Sequence, residues 1–243
     1  MNIRDENVLR ELNLYPLWVR RDAPAAEPVA VTSVAEPEVL AEPEASNQPA
    51  LRHPESVPAS TPNWTELKQT VHECTACKLR AGCTQTVFGV GDEKAEWLFV
   101  GEGPGADEDA QGEPFVGQAG KLLDNMLAAI KLKRGNNVYI GNIVKCRPPN
   151  NRTPEPDEIA SCMPYLRQQI ALIKPKLIVA LGKTAATSLL GREATLGSLR
   201  GTIHDFDGIP LIVTYHPAYL LRSPAEKAKA WQDLCFAVQR IAE

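Results

Sequence analysis

The stretch Trp97-Leu98-Phe99-Val100-Gly101-Glu102-Gly103-Pro104-Gly105 opens with an unbroken apolar run and ends in glycines around a proline. A strand buried on both faces has no polar alternation, and glycines let the chain turn sharply at its end. Outward from this run, residues 138–144, 177–181 and 211–215 repeat the pattern. Between them lie helical segments. Leu122, Leu123, Met126, Leu127 and Ile130 share one helical face of residues 119–132. Pro154 and Pro156 start a helix over 155–173, and further helices are read over 183–190 and 225–242. Asn63 with Glu66 three residues on makes a capping box for a first helix. Strands alternating with helices predict an α/β fold: a three-layer α/β/α sandwich around a central four-stranded, mostly parallel sheet. In such sheets the ligand sits at the carboxyl ends of the strands.

The 243 residues allow one large domain or one domain plus a tail, and an apolar content of 44% is enough for a sizeable core. No apolar run approaches the roughly 20 residues of a membrane span. The opening Met1-Asn2-Ile3-Arg4-Asp5-Glu6 lacks an apolar signal core, so the expected location is the cytoplasm. Six cysteines without an export signal argue for metal or reactive thiols rather than disulfides. The net charge of −4 is unevenly spread: residues 1–63 hold five Arg and no Lys against ten Asp and Glu, and the remainder is near neutral. Residues 23–63 are rich in Pro, Ala, Val, Glu and Ser and read as a disordered linker. Residues 1–22 form a short amphipathic segment, with Leu12, Leu17 and Trp18 among its apolar residues and Arg20-Arg21 at its end. It is a candidate docking peptide for a protein partner, the alternative being that it folds back on its own domain. The folded domain is expected over 64–243, as a monomer.

Candidate chemistry gathers at the strand ends. Gly101, Gly103 and Gly105 permit a ligand close to the backbone, although neither a Walker loop nor GxGxxG is present. Asn142 lies in an apolar strand, and its amide both donates and accepts, as recognition of a base edge requires. Lys145, Arg147 and Arg152 form a basic cluster suited to phosphates, or a solvated loop. His216, before Pro217, is a candidate catalytic donor. Leu220 and Leu221 with Arg222 make an apolar tip beside a cation, able to wedge into a base stack while the cation holds a phosphate, or to pack under the loop. Cys74-x2-Cys77, Cys146 and Cys162 could hold zinc or an iron–sulfur cluster, and spacing alone does not choose. Cys235 reads as core, and Cys83 could replace one ligand.

Taken together, four ordered blocks resemble the family-4 uracil-DNA glycosylases, the iron–sulfur type of bacteria and archaea. They are Cys74-x2-Cys77 with 86–91; 101–105 with Pro114-Phe115-Val116-Gly117; Asn142-Ile143-Val144-Lys145-Cys146-Arg147-Pro148; and His216-Pro217-Ala218 with Leu220-Leu221-Arg222. The resemblance implies a [4Fe-4S] cluster on Cys74, Cys77, Cys146 and Cys162, structural in role. It implies action on uracil-containing DNA, single- or double-stranded, with the base flipped from the stack. Phe115 would stack on uracil, Asn142 would pair with O4 and N3–H, and His216, with main-chain donors near Glu102 and Gly103, would stabilise charge on O2. Glu108 is suggested as the block against thymine's methyl group. Well-known uracil glycosylases carry an aspartate where this chain has Gly103, so Glu102 and Asp109 become the candidates for activating water. The competing readings are an iron–sulfur redox or sensor protein that binds DNA, and an adaptor, both without base release.

Overall fold

The computed structural model describes residues 63–241, all within the unit Pro58–Glu243. The docking segment read over 1–22 and the linker up to residue 62 lie outside the described residues. The first helix, α1 (Trp64–His72), is capped as its sequence predicts: Asn63 Oδ1 accepts from Glu66 N–H at 2.9 Å, and Glu66 accepts in return from Asn63 N–H. A 3-10 turn (Lys78–Gly82) leads to β1 (Val90–Gly91) and β2 (Trp97–Gly101). Then come α2 (Ala106–Gln111), α3 (Gln118–Ala129), β3 (Val138–Asn142), α4 (Pro156–Ile173), β4 (Leu177–Leu181) and α5 (Lys183–Leu190). The chain closes with α6 (Leu196–Leu199), β5 (His204–Phe206), β6 (Ile209–Thr214), α7 (Pro217–Arg222) and α8 (Lys227–Ile241).

The sheet has six strands in the order β1-β3-β2-β4-β6-β5. Its four central strands are parallel, as the sequence predicts. The correction is at the edges, where β1 and β5 add antiparallel pairings. They are two and three residues long and have no apolar run to announce them. Alternate strand residues supply two cores. Leu98, Val100, Ile178, Ala180 and Val213 meet Leu166 and Ile170 of α4 and Ala185 of α5. Trp97, Phe99, Val179, Leu181 and Ile212 meet Leu123 and Leu127 of α3 and Leu234 of α8. Helices on both faces explain why these strands read as continuous apolar runs. Among the described residues no helix is long and apolar enough to cross a membrane.

Strand order reverses at β2: the chain leaves it for β3 on one side and later returns to β4 on the other. A crevice at the carboxyl ends is the consequence of that reversal. Gly101, Asn142 and the loop after β6 all end there.

Candidate active site

A cavity of about 480 Å³ opens at these strand ends, lined among others by Glu102, Gly103, Phe115, Asn142, Arg152 and His216. Its first wall is the loop after β2. Gly101 and Glu102 carbonyls accept from Ile143 and Val144 N–H, stitching this loop to the continuation of β3. A Cβ on Gly101 would lie 2.5 Å from both Asn142 Oδ1 and Phe115 Cζ, so glycine is what lets the amide and the ring approach. At Gly103 a Cβ would come 2.7 Å from Val144 Cγ2, which leaves no room there for an aspartate side chain unless Val144 shifts.

Phe115 has φ of 56°, a left-handed conformation that costs a non-glycine residue about 1–3 kcal/mol. The surroundings hold it there. Arg134 donates to the carbonyls of Pro114 and Phe115, both at 2.7 Å. Glu108 accepts from the N–H groups of Gly105, Val116 and Gly117. A Cβ on Gly120 would fall 1.8 Å from Phe115 O, so only glycine passes beneath it. The ring is buried, and its centroid lies 5.5 Å from that of His216.

Asn142, only 2% exposed, keeps a buried Oδ1 with no hydrogen-bond partner among the described residues. A buried amide oxygen left unpaired is costly, and one lining a cleft is an acceptor waiting for a donor. His216 caps α7: its Nδ1 accepts from Ala218 N–H at 3.1 Å. That bond needs Nδ1 unprotonated, which puts the proton of the neutral ring on Nε2. Burial above all, with Arg222 adding to it, pushes the imidazole pKa down to about 4 against an opposing pull from Glu108. At neutral pH His216 is therefore an uncharged donor. Gly182, at φ 92°, makes space behind it.

Three other candidates, Asp109, Lys145 and Leu220, are not where the sequence reading put them. The Asp109 carboxylate is buried and accepts from Thr84 N–H, Thr84 Oγ1 and Gln85 N–H rather than lining the cavity, so it cannot activate a water there. Lys145, read as a phosphate contact, is 1% exposed, and burial pushes its pKa down to about 8. Its Nζ donates to Asn142 O and Gln169 Oε1. Leu220, read as half of an apolar wedge, is 1% exposed and belongs to the core, whereas Leu221 is 45% exposed. Arg147 donates to Asn151 Oδ1. Arg152 lines the cavity while its guanidinium grips the fully buried Glu158 at 2.8 and 2.6 Å. Arg222 lines the cavity and is exposed. Two residues were missed. Tyr219 lines the cavity between two residues the sequence reading had singled out and stacks on Tyr215 at 5.4 Å. Arg134, remote in sequence, carried no signal.

A second, small cavity is lined by Cys74, Cys77, Cys146 and Cys162. All are free thiols, and Cys83 is not among the lining residues. Cys74 Sγ accepts from Tyr165 Oη–H at 3.2 Å and Ala76 N–H at 3.4 Å, and Cys162 Sγ accepts from Lys145 N–H at 3.2 Å. Donors aimed at sulfur suit thiolates that carry metal. Among the described residues no three Cys, His, Asp or Glu side chains converge on one ion. Four thiols lining one space, two of them accepting hydrogen bonds at sulfur, are compatible with a thiolate-held metal group.

A model of the Uracil DNA glycosylase superfamily matches residues 88–235, and the chain belongs to that superfamily. Its relatives narrow the group. The Type-4 uracil-DNA glycosylase of Archaeoglobus fulgidus is 44% identical over 167 residues, 65% of this chain and 83% of the relative. The Type-4 enzyme of Pyrobaculum aerophilum is 44% identical over 177 residues, 70% and 90% of the two chains. That of Thermotoga maritima is 45% identical over 165 residues, 67% and 85%.

Proposed function

We propose that this chain is a DNA-repair hydrolase that removes uracil from DNA by cleaving its N-glycosidic bond, leaving an abasic site. The observation that carries this reading is the unpartnered Asn142 Oδ1 lining the same cleft as Phe115 and His216. Uracil N3–H donates to Asn142 Oδ1, and Nδ2–H donates to O4. Cytosine reverses both groups, which leaves buried polar atoms unpaired and rejects it. Phe115 stacks on the base. Glu108, immobilised by three main-chain N–H groups, forms a fixed wall, to which we assign the exclusion of thymine's methyl group.

As the bond breaks, the sugar gains oxocarbenium character and uracil O2 gains negative charge. The Nε2–H of His216 donates to O2, and a neutral donor stabilises that charge without delivering the proton. Such a donor is worth roughly 10²–10³ in rate. Glu102 lines the cleft and is the remaining candidate to orient water. Arg222, Arg147 and Arg152 are assigned to the DNA backbone, and Leu221 with Tyr219 to the space the flipped base leaves. Cys74, Cys77, Cys146 and Cys162 would hold a [4Fe-4S] cluster, which would supply a cross-link between α1, the 142–152 loop and α4. Redox and adaptor roles have no use for the cleft residues. We place the enzyme in the cytoplasm, on chromosomal DNA, as a monomer, with residues 2–22 offered to a protein partner.

The test is single-turnover release of free base from a DNA strand carrying one dU, with dT and dC controls. The wild type is expected to release uracil alone, and His216→Ala to lose roughly 10²–10³ in rate. No release from dU would end the glycosylase reading.

A further inference from the structure

Lys145, 1% exposed, is a buried charge that the reaction leaves unexplained. Its side chain is fully buried, with no carboxylate among its hydrogen-bond partners. Withdrawing an ammonium from water is expensive, so its remaining bonds must matter. There are two: 3.0 Å to the main-chain oxygen of Asn142 and 2.6 Å to Gln169 Oε1. Gln169, on α4 and fully buried, spends its amide on Phe88 O at 3.0 Å and Tyr139 Oη at 3.2 Å. Lys145 Nζ and the Gln169 amide are thus each held at two or more points, and this chain of contacts ends on the Asn142 carbonyl.

We propose that Lys145 and Gln169 are positioning residues that fix the Asn142 peptide and thereby set the discrimination of uracil from cytosine. The inference rests on the glycosylase reading above. Nζ holds the carbonyl at the last residue of β3, while Ile143 N–H on the other side of that peptide is held by Gly101 O at 2.9 Å. A peptide plane gripped at both its oxygen and its nitrogen cannot rotate, and the Cα–Cβ direction of Asn142 follows it. The amide then meets the base already oriented, without freezing out rotamers on binding. Without Nζ, the Asn142 carbonyl lacks its buried donor and seeks another, and the amide is freed to turn. An amide that turns presents its donor where its acceptor belonged, which is the pattern cytosine accepts.

The experiment compares single-turnover base release from dU and dC strands by wild type, Lys145→Met and Gln169→Met, each also in an Asn142→Ala background. Gln169→Met leaves Lys145 and its charge in place, so it serves if Lys145→Met fails to fold. The uracil-to-cytosine rate ratio is expected to fall about tenfold in either variant, the cost of one unpaired buried group. It should fall no further when Asn142 is already Ala. A ratio unchanged in both folded variants, or one that falls equally in the Asn142→Ala background, overturns the proposal. Lower stability or thiol-site loss with an unchanged ratio does so too, assigning Lys145 to the thiol cavity alone. Absence of uracil release by the wild type is a different result, and it removes the glycosylase reading itself.

Discussion

One wall of the cleft, residues 101–120, is braced through its backbone groups, whereas another, Pro217–Arg222, keeps exposed tips. In the first, Glu108 takes three N–H groups, Arg134 takes two carbonyls, and Phe115 is held in a backbone conformation it would not choose. In the second, Pro217 and Leu220 are buried, while Tyr219 and Leu221 are 39% and 45% exposed. On the proposed function, the difference follows from what each wall would meet. A single base edge has a fixed pattern of donors and acceptors, and reading it requires groups that do not move. A stack of bases offers only apolar faces of variable position, and filling its gap requires exposed apolar side chains on a short tether.

Substitutions in the two walls should separate stability from function. Leu220→Ala is expected to show the largest effect, about 2–5 kcal/mol of stability, because it empties a core position. Chemical denaturation measures it; a loss below 1 kcal/mol would mean that Leu220 is not an anchor. Next comes Arg134→Ala. It strips two carbonyls of a charged donor and should cost about 1–3 kcal/mol while raising KM more than it lowers kcat. Equal kcat loss with KM unmoved would place Arg134 in the chemical step instead.

The neutral His216 gives a smaller, pH-dependent effect. Its folded pKa lies near 4, below the usual value of 6.5. Between these values the unfolded chain binds the proton and the folded chain does not. Stability is therefore full above pH 6.5 and falls with acidification, by about 1.4 kcal/mol per unit from this group alone, until pH approaches 4. Unfolding curves of wild type and His216→Ala should diverge over that window, and parallel curves would refute the buried neutral ring. The smallest effect belongs to the bare wall. Leu221→Ala should leave stability within about 0.5 kcal/mol. It should slow release from double-stranded DNA a few-fold and leave single-stranded release untouched; equal slowing on both would count against a wedge.

The four central strands were legible because burial on both faces leaves an unbroken apolar run, and the capping box at Asn63 because its chemistry is local. The edge strands were not, since two or three residues carry no period. The cleft was half legible. Asn142, Phe115 and His216 stand at strand ends or in glycine-rich turns, where sequence already signals chemistry. Lys145 and Leu220 show where that reasoning stops. Each has a residue of similar kind one or two positions on, and only tertiary packing decides that Lys145 turns inward while Arg147 stays near the surface, or that Leu220 is core while Leu221 is not. Asp109 was misplaced for the same reason: one helical step separates it from Glu108 and sends its carboxylate to Thr84.

The central claim is that the Asn142 amide reads the base, and exchanging its donor for an acceptor tests that claim most directly. Asn142→Asp, assayed for single-turnover release from matched dU and dC strands, should lose uracil release and gain in cytosine relative to uracil by at least about tenfold, since an added carboxylate oxygen accepts from cytosine's amino group and opposes uracil O4. A folded variant whose uracil-to-cytosine ratio matches the wild type would contradict the account.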